Sequence, residues 1–279
     1  MQLISGTQMA AAIRQELCRQ NGDQGVSPLL AVMLVGKQED SCAYVKLKQK
    51  AAAEIGGQCR VVHLAEDISA SQLLAEIATL NQDPQVDGII LQLPLPAHLQ
   101  PRQDEFLQAI APQKDVDGFN PVNRGLLIGG QPRFNSCAAL AAMEVISRYF
   151  PELKGRNALL IGDSFDLILP LTTMLVKQGC EVRVIPEWDK EAAISADIVV
   201  AEKGAPQIIK KHHLGRVHLL IDAGWYWTSK GSRGNVDNED VAVADGLLLP
   251  VPGGMGPLLI AELMYNLSRA AWEQQGVGS

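Results

Sequence analysis

The chain has 279 residues, enough for one large domain or two domains of ordinary size. Hydrophobic residues make up 47% of it and charged residues 20%, the balance of a globular protein that buries a core. A formal net charge of -7, without a dense run of lysine and arginine, would repel a phosphate backbone, so nucleic acid is not an expected partner.

Cysteines and apolar runs exclude further classes of protein. The five cysteines are scattered and none belongs to a C-x-x-C pair, so neither a disulfide framework nor a zinc site is expected. Residues 1–17 lack the basic and apolar blocks of a signal peptide. No stretch approaches the roughly 18 apolar residues of a membrane helix. We therefore expect a cytoplasmic protein without a metal and without a membrane partner.

Short apolar runs alternate with helical patterns along the first half of the chain. Strands are predicted at 29–35, 58–63 and 88–93, and helices at 41–55 and 71–80. This alternation is typical of parallel β-α-β construction.

A loop-rich section at 112–132 separates this half from a second series of elements. Helices are predicted at 137–149 and 167–178, and strands at 157–161, 181–185, 198–201 and 219–222. The series is typical of a compact Rossmann-type domain. A loop rich in proline and glycine, 250–257, then precedes a final helix at 258–273.

The predicted helix that begins at Ser41 carries a candidate pair for proton transfer. Tyr44 and Lys48 are four residues apart and therefore share one helix face. A lysine that is partly desolvated beside a phenol can exchange protons near neutral pH. The alternative is that the lysines of this helix only solvate an outer face.

Two further segments place polar residues near the end of a strand. Gln92 interrupts an apolar strand close to its C-terminal end, where open α/β sheets bind ligands. The alternative is a core amide with satisfied hydrogen bonds. Asp117, in the K-D-V-D-G segment, can accept hydrogen bonds from an amino-substituted heterocycle or orient Lys48. Alternatively, Asp115 and Asp117 only stabilise a loop through their side chains.

The loop P-V-P-G-G-M-G-P at 250–257 has few side chains. Gly253 and Gly254 would let backbone N–H groups approach a flat ligand, while Pro252 would hold the loop still. The competing interpretation is a structural hinge.

In order and spacing, these four segments resemble those of the bifunctional methylenetetrahydrofolate dehydrogenase/cyclohydrolase (FolD) family, over essentially the whole chain. The resemblance implies two α/β domains with a cleft between them. One, residues 1–136, is completed by the C-terminal helix at 258–279, and the other, 137–257, is a Rossmann-like domain of the NAD(P) type. It also implies a homodimer that oxidises 5,10-methylenetetrahydrofolate by hydride transfer to a nicotinamide and then hydrolyses the methenyl ring.

The resemblance assigns roles to individual residues. Lys48 would be the general acid/base for ring opening, with Tyr44 beside it; Gln92 would tune Lys48, and Asp117 would hold the pterin end of the folate. Further substrate-binding residues would be Ser41, Pro252, Gly253 and Gly254. Cofactor-binding residues would be Gly162, Ser164 and Pro170. Glu187 is a further candidate because of its own chemistry, at a place where this sequence departs from the family.

The second half departs from the family pattern. The family's G-R-S-x-x-V-G-x-P loop reads G-D-S-F-D-L-I-L-P here, with Ile168 where a glycine would let the backbone approach the pyrophosphate. Asp163 and Asp166 add negative charge beside an anionic ligand. Glu187 suits the ribose hydroxyls of NAD and would repel the 2′-phosphate of NADP. We therefore expect NADP or NAD, with NAD favoured, or a lost cofactor site.

Three functions remain open from the sequence. The first is a bifunctional enzyme with an unusual cofactor loop. The second is an enzyme that keeps only the cyclohydrolase, because proton transfer at Lys48 needs no nicotinamide. The third is a folate-binding or regulatory protein without catalysis.

Overall fold

The computed structural model describes residues 1–229 and 231–277, and only the backbone of residues 39 and 40. In chain order the strands are β1 (Gln2–Leu3), β2 (Leu29–Val35), β3 (Gln58–Leu64), β4 (Gly88–Leu91), β5 (Asn157–Ile161), β6 (Glu181–Ile185), β7 (Ile194–Ala201), β8 (Leu214–Asp222), β9 (Tyr226–Thr228), β10 (Gly231–Arg233) and β11 (Leu247–Leu249). The helices are α1 (Gly6–Gln24), α2 (Glu39–Glu54), α3 (Ala70–Gln82), α4 (Gln103–Ala109), α5 (Pro121–Gly129), α6 (Cys137–Tyr149), α7 (Ile168–Lys177) and α8 (Met255–Gln275). The predicted two-domain α/β fold is confirmed.

The first compact unit, here called the three-stranded unit, comprises Ala11–Cys137 and the chain from Ile260 onward. Its sheet has the order β3-β2-β4 and is parallel throughout. The central strand β2 is buried from Leu30 to Val35. A strand covered on both faces has no polar side to present, which explains the unbroken apolar run.

The C-terminal helix α8 completes the three-stranded unit. Asn266 Nδ2 donates to the backbone oxygens of Val116 at 2.9 Å and Asn135 at 3.0 Å. One and a half turns later, Trp272 Nε1 donates to Asn21 Oδ1 at 2.9 Å. These polar contacts fix α8 across sequence separations of more than a hundred residues.

The second compact unit, here called the six-stranded unit, comprises Met1–Ala10 and Ala138–Leu259. Its parallel sheet has the order β1-β11-β8-β7-β5-β6, and β9 and β10 form a separate antiparallel hairpin. The chain leaves β5 toward β6 on one side and then returns to β7 on the other. The strand order therefore reverses at β5, which is where open α/β sheets bind ligands.

The first ten residues lie in a different unit from the one expected for residues 1–136. They join the six-stranded unit because β1 pairs with β11, and because the Met1 amino group donates to Val241 O at 3.0 Å and to Ala242 O at 2.7 Å. A strand of two residues has too short a pattern to be predicted from the sequence.

The section predicted as loop-rich at 112–132 contains helix α5, which the prediction did not include. Asn120 caps the helix by accepting a hydrogen bond from Val122 N at 2.8 Å, and Pro121 occupies the first turn. Gly130 ends it in the left-handed conformation. These residues are helix boundaries, although in sequence they are also typical of turns.

Asp115 holds the start of this segment. Its carboxylate accepts hydrogen bonds from Phe119 N at 3.1 Å, Asn120 N at 2.8 Å and Asn123 Nδ2 at 2.7 Å. The carboxyl group is almost completely buried, and burial raises its pKa from an ordinary 3.8 to about 7 despite these hydrogen bonds.

Among the helices of the described residues, none is long and apolar enough to span a membrane.

Asp115 gives the stability of this unit a dependence on pH. Because its pKa is higher in the folded state, its contribution to stability is fully present below pH ~4 and is lost as the pH rises through about 7. We expect the free energy of unfolding of the wild-type protein, measured against that of Asp115→Asn, to decrease over this pH range by at most on the order of 4 kcal/mol. Calorimetric unfolding measures this, with the exposed Asp67→Asn as control, and a difference that grows with pH would contradict it.

Candidate active site

The three-stranded unit brings Lys48 and Gln92 into direct contact. Lys48, on α2, is only 7% exposed, and its Nζ donates to Gln92 Oε1 at 2.9 Å. The other end of the same amide is fixed, because Gln92 Nε2 donates to Leu93 O at 2.7 Å. The Gln92 backbone N–H also donates to Met33 O at 2.9 Å, immediately after β4. The amide oxygen is therefore directed at the lysine.

The other predicted residues of α2 lie on the same stretch of helix. Tyr44 is one turn before Lys48 and is partly exposed, whereas Ser41 is buried. The helix thus presents a buried amine and an accessible phenol on one face.

Asp117 lies between α4 and α5, two residues after the buried Asp115. The next residue, Gly118, has φ +72°, and a Cβ atom there would lie 2.5 Å from the carbonyl carbon of Asn135, so only glycine fits. Within the same motif, Lys114 has a structural role: its Nζ donates to Asp83 O at 2.6 Å, at the end of α3. Asp115 is held by the start of α5, and the role of Asp117 toward a ligand remains a prediction.

Cys137 is the centre of a cluster of charges in this unit. Its thiol donates to Val116 O at 3.3 Å, and Asn266 Nδ2 lies 3.6 Å from its sulfur. Burial raises the pKa of the Cys137 thiol well above its ordinary value, and the negative charges of Asp117 and Glu262 raise it further against the opposing charge of Lys48. Lys48, Asp117 and Glu262 therefore all lie close enough to Cys137 for their charges to affect its pKa.

Glu262 is the residue of this cluster that the sequence reasoning missed. It is a buried carboxylate on α8, one turn before Asn266. The available signal was an acidic residue inside an otherwise apolar helical run.

The segment 250–257 lies in the six-stranded unit, which extends to Leu259, and its last three residues already belong to α8. Gly253 O accepts a hydrogen bond from Thr7 N at 3.0 Å, Gly254 is buried, and Pro252 is exposed. These contacts connect the loop to the start of α1. The substrate-binding roles of Pro252, Gly253, Gly254 and Ser41 remain predictions.

The loop between β5 and α7 lies at the point where the strand order reverses. Gly162 follows β5 with φ +142°, and a Cβ atom there would lie 2.5 Å from Glu202 Oε2. Ser164 Oγ accepts hydrogen bonds from the backbone N–H groups of Leu167 and Ile168, both at 3.2 Å, and so shapes the start of α7. Pro170 lies in the first turn of that helix and Glu187 is exposed two residues after β6.

Ile168 does not obstruct this loop in the way its sequence position suggested. Its side chain is completely buried, and its Cγ1 lies 3.1 Å from the place of a Cβ on Gly162. A side chain without exposed surface cannot contact a ligand directly. The branched residue therefore packs beneath the loop, and its backbone remains at the start of α7.

In the described part of the chain, no three side chains of His, Cys, Asp or Glu are grouped to hold a metal ion. The five cysteines all carry free thiols.

The environment of Cys137 makes its thiol unreactive. We expect iodoacetamide to label the exposed Cys18 in the folded protein and to leave Cys137 unlabelled, because a buried thiol with a raised pKa supplies almost no thiolate to the reagent. Mass spectrometry before and after denaturation measures both sites in one sample. Labelling of Cys137 as fast as Cys18 in the folded state would show that the thiol is accessible and ionised.

Comparison with known proteins agrees with this architecture. The family model for the catalytic domain of tetrahydrofolate dehydrogenase/cyclohydrolase matches residues 4–117, and the one for its NAD(P)-binding domain matches residues 136–275. Bifunctional protein FolD 1 of Syntrophomonas wolfei is 53% identical over 277 residues, which cover 99% of this chain and 100% of the relative.

Two solved structures extend the comparison. The bifunctional enzyme FolD of Campylobacter jejuni superimposes with a TM-score of 0.91 at 36% identity, covering 98% of this chain and 99% of the other. FolD of Trypanosoma brucei, solved with NADP and an inhibitor, gives a TM-score of 0.87 at 28% identity, covering 97% of each chain. The chain therefore belongs to the tetrahydrofolate dehydrogenase/cyclohydrolase family, as its four motifs predicted.

Proposed function

We propose that this protein acts in one-carbon folate metabolism as a bifunctional enzyme. It oxidises 5,10-methylenetetrahydrofolate with a nicotinamide dinucleotide and hydrolyses the resulting methenyl ring. The observation that carries the proposal is the contact between the buried Lys48 ammonium and the fixed amide of Gln92. Relatives over the full chain are named bifunctional enzymes, and neither their names nor the geometry favours a folate-binding protein without catalysis.

Hydrolysis of the methenyl ring needs a group that moves protons. Water adds to the methenyl carbon and loses a proton, and the ring nitrogen that leaves must gain one. In its neutral form Lys48 can accept the first proton, and as an ammonium it can supply the second. Gln92 aims the Lys48 nitrogen, Tyr44 lies one turn away, and Asp117 accepts hydrogen bonds from the amino-substituted pterin.

The residues at the end of β5 fit a nicotinamide dinucleotide. Gly162 places no side chain at the end of β5, so a dinucleotide can approach the backbone there. Ile168 is buried beneath the loop, and Ser164 shapes the first turn of α7. We assign binding of the dinucleotide to Gly162, Ser164, Pro170 and Glu187. When bound, the nicotinamide supplies the hydride acceptor for the oxidation.

Substitution of Lys48 tests the hydrolysis. We expect Lys48→Met to lower turnover of methenyltetrahydrofolate by at least ~100-fold, because the proton carrier is lost. Gln92→Met, which removes the acceptor but not Lys48, should lower it by about tenfold. The absorbance of the methenyl substrate measures the rate.

Lys50→Met is the matched control, because Lys50 lies on the same helix with its side chain 76% exposed. It should retain full activity, and Lys48→Met with unchanged turnover would exclude the assigned role. Calorimetric titration with folate separates lost binding from lost proton transfer.

We further propose a cytoplasmic homodimer. The free thiols suit a reducing compartment. The hairpin of β9 and β10 supports an interface, because Trp227 is 80% exposed and Trp225 is also exposed. Both strands of a two-stranded hairpin have an open edge, to which the same hairpin of a second copy can be added.

Light scattering coupled to gel filtration tests the dimer. We expect a dimer for the wild-type protein at micromolar concentration and a shift toward monomer for Trp227→Ser. Val243→Ser removes another highly exposed apolar side chain of the same unit, outside the hairpin, and should leave the mass unchanged. A wild-type monomer would reject the proposal.

A further inference from the structure

We infer that the dinucleotide site of this protein selects NAD over NADP, and that Asp163 and Glu187 are the residues that determine the choice. The inference rests on the proposed dehydrogenase function and adds the chemical identity of its cofactor. It follows from the charges that the fold collects at one edge of the six-stranded sheet.

Three neighbouring parallel strands end at this edge, and each is followed by acidic residues. Asp163 follows β5, Glu187 follows β6, and Glu202 follows β7. Because β5 lies between β6 and β7, the three carboxyl ends are adjacent at the reversal of strand order. The edge that binds ligands in such sheets is therefore negatively charged here.

Asp163 and Glu187 are the accessible members of the set. The Asp163 side chain is 54% exposed, and Glu187 is also exposed. Glu202 is less accessible; burial raises its pKa, as do the charges of Asp166 and Asp163, against its hydrogen bonds with Ser164. Only exposed carboxylates can meet a ligand that arrives from solvent.

Lys203, which also follows β7, already forms an ion pair with one of these acids. Its Nζ contacts Asp163 Oδ1 at 2.9 Å. The hydrogen bond to Asp163 raises the pKa of Lys203, and the charges of Glu187 and Glu202 raise it further. The two exposed carboxylates of Asp163 and Glu187 therefore outnumber the single ammonium of Lys203. A phosphate would therefore have to displace Asp163 to use this cation.

NAD and NADP differ only at the 2′ position of the adenosine ribose. NAD carries a hydroxyl there, which donates a hydrogen bond to a carboxylate, whereas the 2′-phosphate of NADP is an anion without such a donor. Glu187 lies about 25 residues after Gly162, close to the separation at which an acid binds this ribose in dinucleotide folds. Asp163 adds repulsion against the phosphate, so the pair accepts one cofactor and excludes the other.

Direct titration tests the choice without turnover. Calorimetry with NAD and NADP, and nicotinamide fluorescence with NADH and NADPH, report binding alone. We expect the wild-type protein to bind NAD at least about tenfold more tightly than NADP. The preference should shrink as salt is added, because exposed charges are screened.

Charge-removing variants of the same shape assign the preference to residues. Asp163→Asn removes a charge and releases Lys203, and Glu187→Gln removes the second charge. We expect the double variant to bring the two affinities to within about threefold, mainly by tighter NADP binding. Glu181→Gln removes the same charge at the opposite end of β6 and should leave the ratio unchanged.

The outcomes separate this inference from the proposed function. Wild-type binding of NADP as tight as that of NAD overturns the selectivity and leaves the dehydrogenase standing. If neither dinucleotide binds to protein that circular dichroism shows to be folded, both the selectivity and the dehydrogenase are rejected, and hydrolysis at Lys48 is not affected. An unchanged ratio in the double variant overturns the assignment to Asp163 and Glu187.

Discussion

A lysine that becomes buried on folding must donate hydrogen bonds to acceptors within the protein, because an unpaired buried ammonium costs several kcal/mol. In this protein the acceptor of Lys48 is Gln92, and it serves only because its own amide nitrogen and backbone are held by Leu93 and Met33. Helix α2 has to present Lys48 toward the end of β4, where Gln92 follows the strand. The group with proton chemistry is therefore positioned by a sheet and a helix and not by a mobile loop.

The six-stranded unit combines an architecture that suits a dinucleotide with acidic loops at one edge of its sheet. The reversal of strand order at β5, the glycine that follows it and the buried position of Ile168 all suit a dinucleotide. Its exposed surface carries the carboxylates of Asp163 and Glu187, on which the inferred choice of NAD rests. Charge on exposed loops can vary at little cost in stability, whereas replacing Gly162 would strain the backbone, because its φ of +142° is one that other residues rarely adopt.

Much of the candidate site could be predicted because its residues follow local rules. Tyr44 and Lys48 share a face through the helical repeat, and Gln92 was recognised as a polar residue at the end of an apolar strand. The burial of Glu262 close to Cys137 could not be predicted in this way. It depends on how α8 meets a segment about 150 residues earlier in the chain, through hydrogen bonds such as that of Asn266 with Val116.

The sequence by itself determined the parallel α/β class, most strands and helices, and the family, because hydrophobic period and ordered motifs are local properties. It did not reveal α5, whose cap at Asn120 also has the sequence of a turn, or β1, whose two residues gain stability only from pairing with β11. The expectation that the Ile168 side chain would obstruct the dinucleotide was also wrong, since an apolar residue in a loop motif can face either the ligand or the core. Tertiary structure decided these points, because burial and pairing between distant segments arise only when the whole unit is packed.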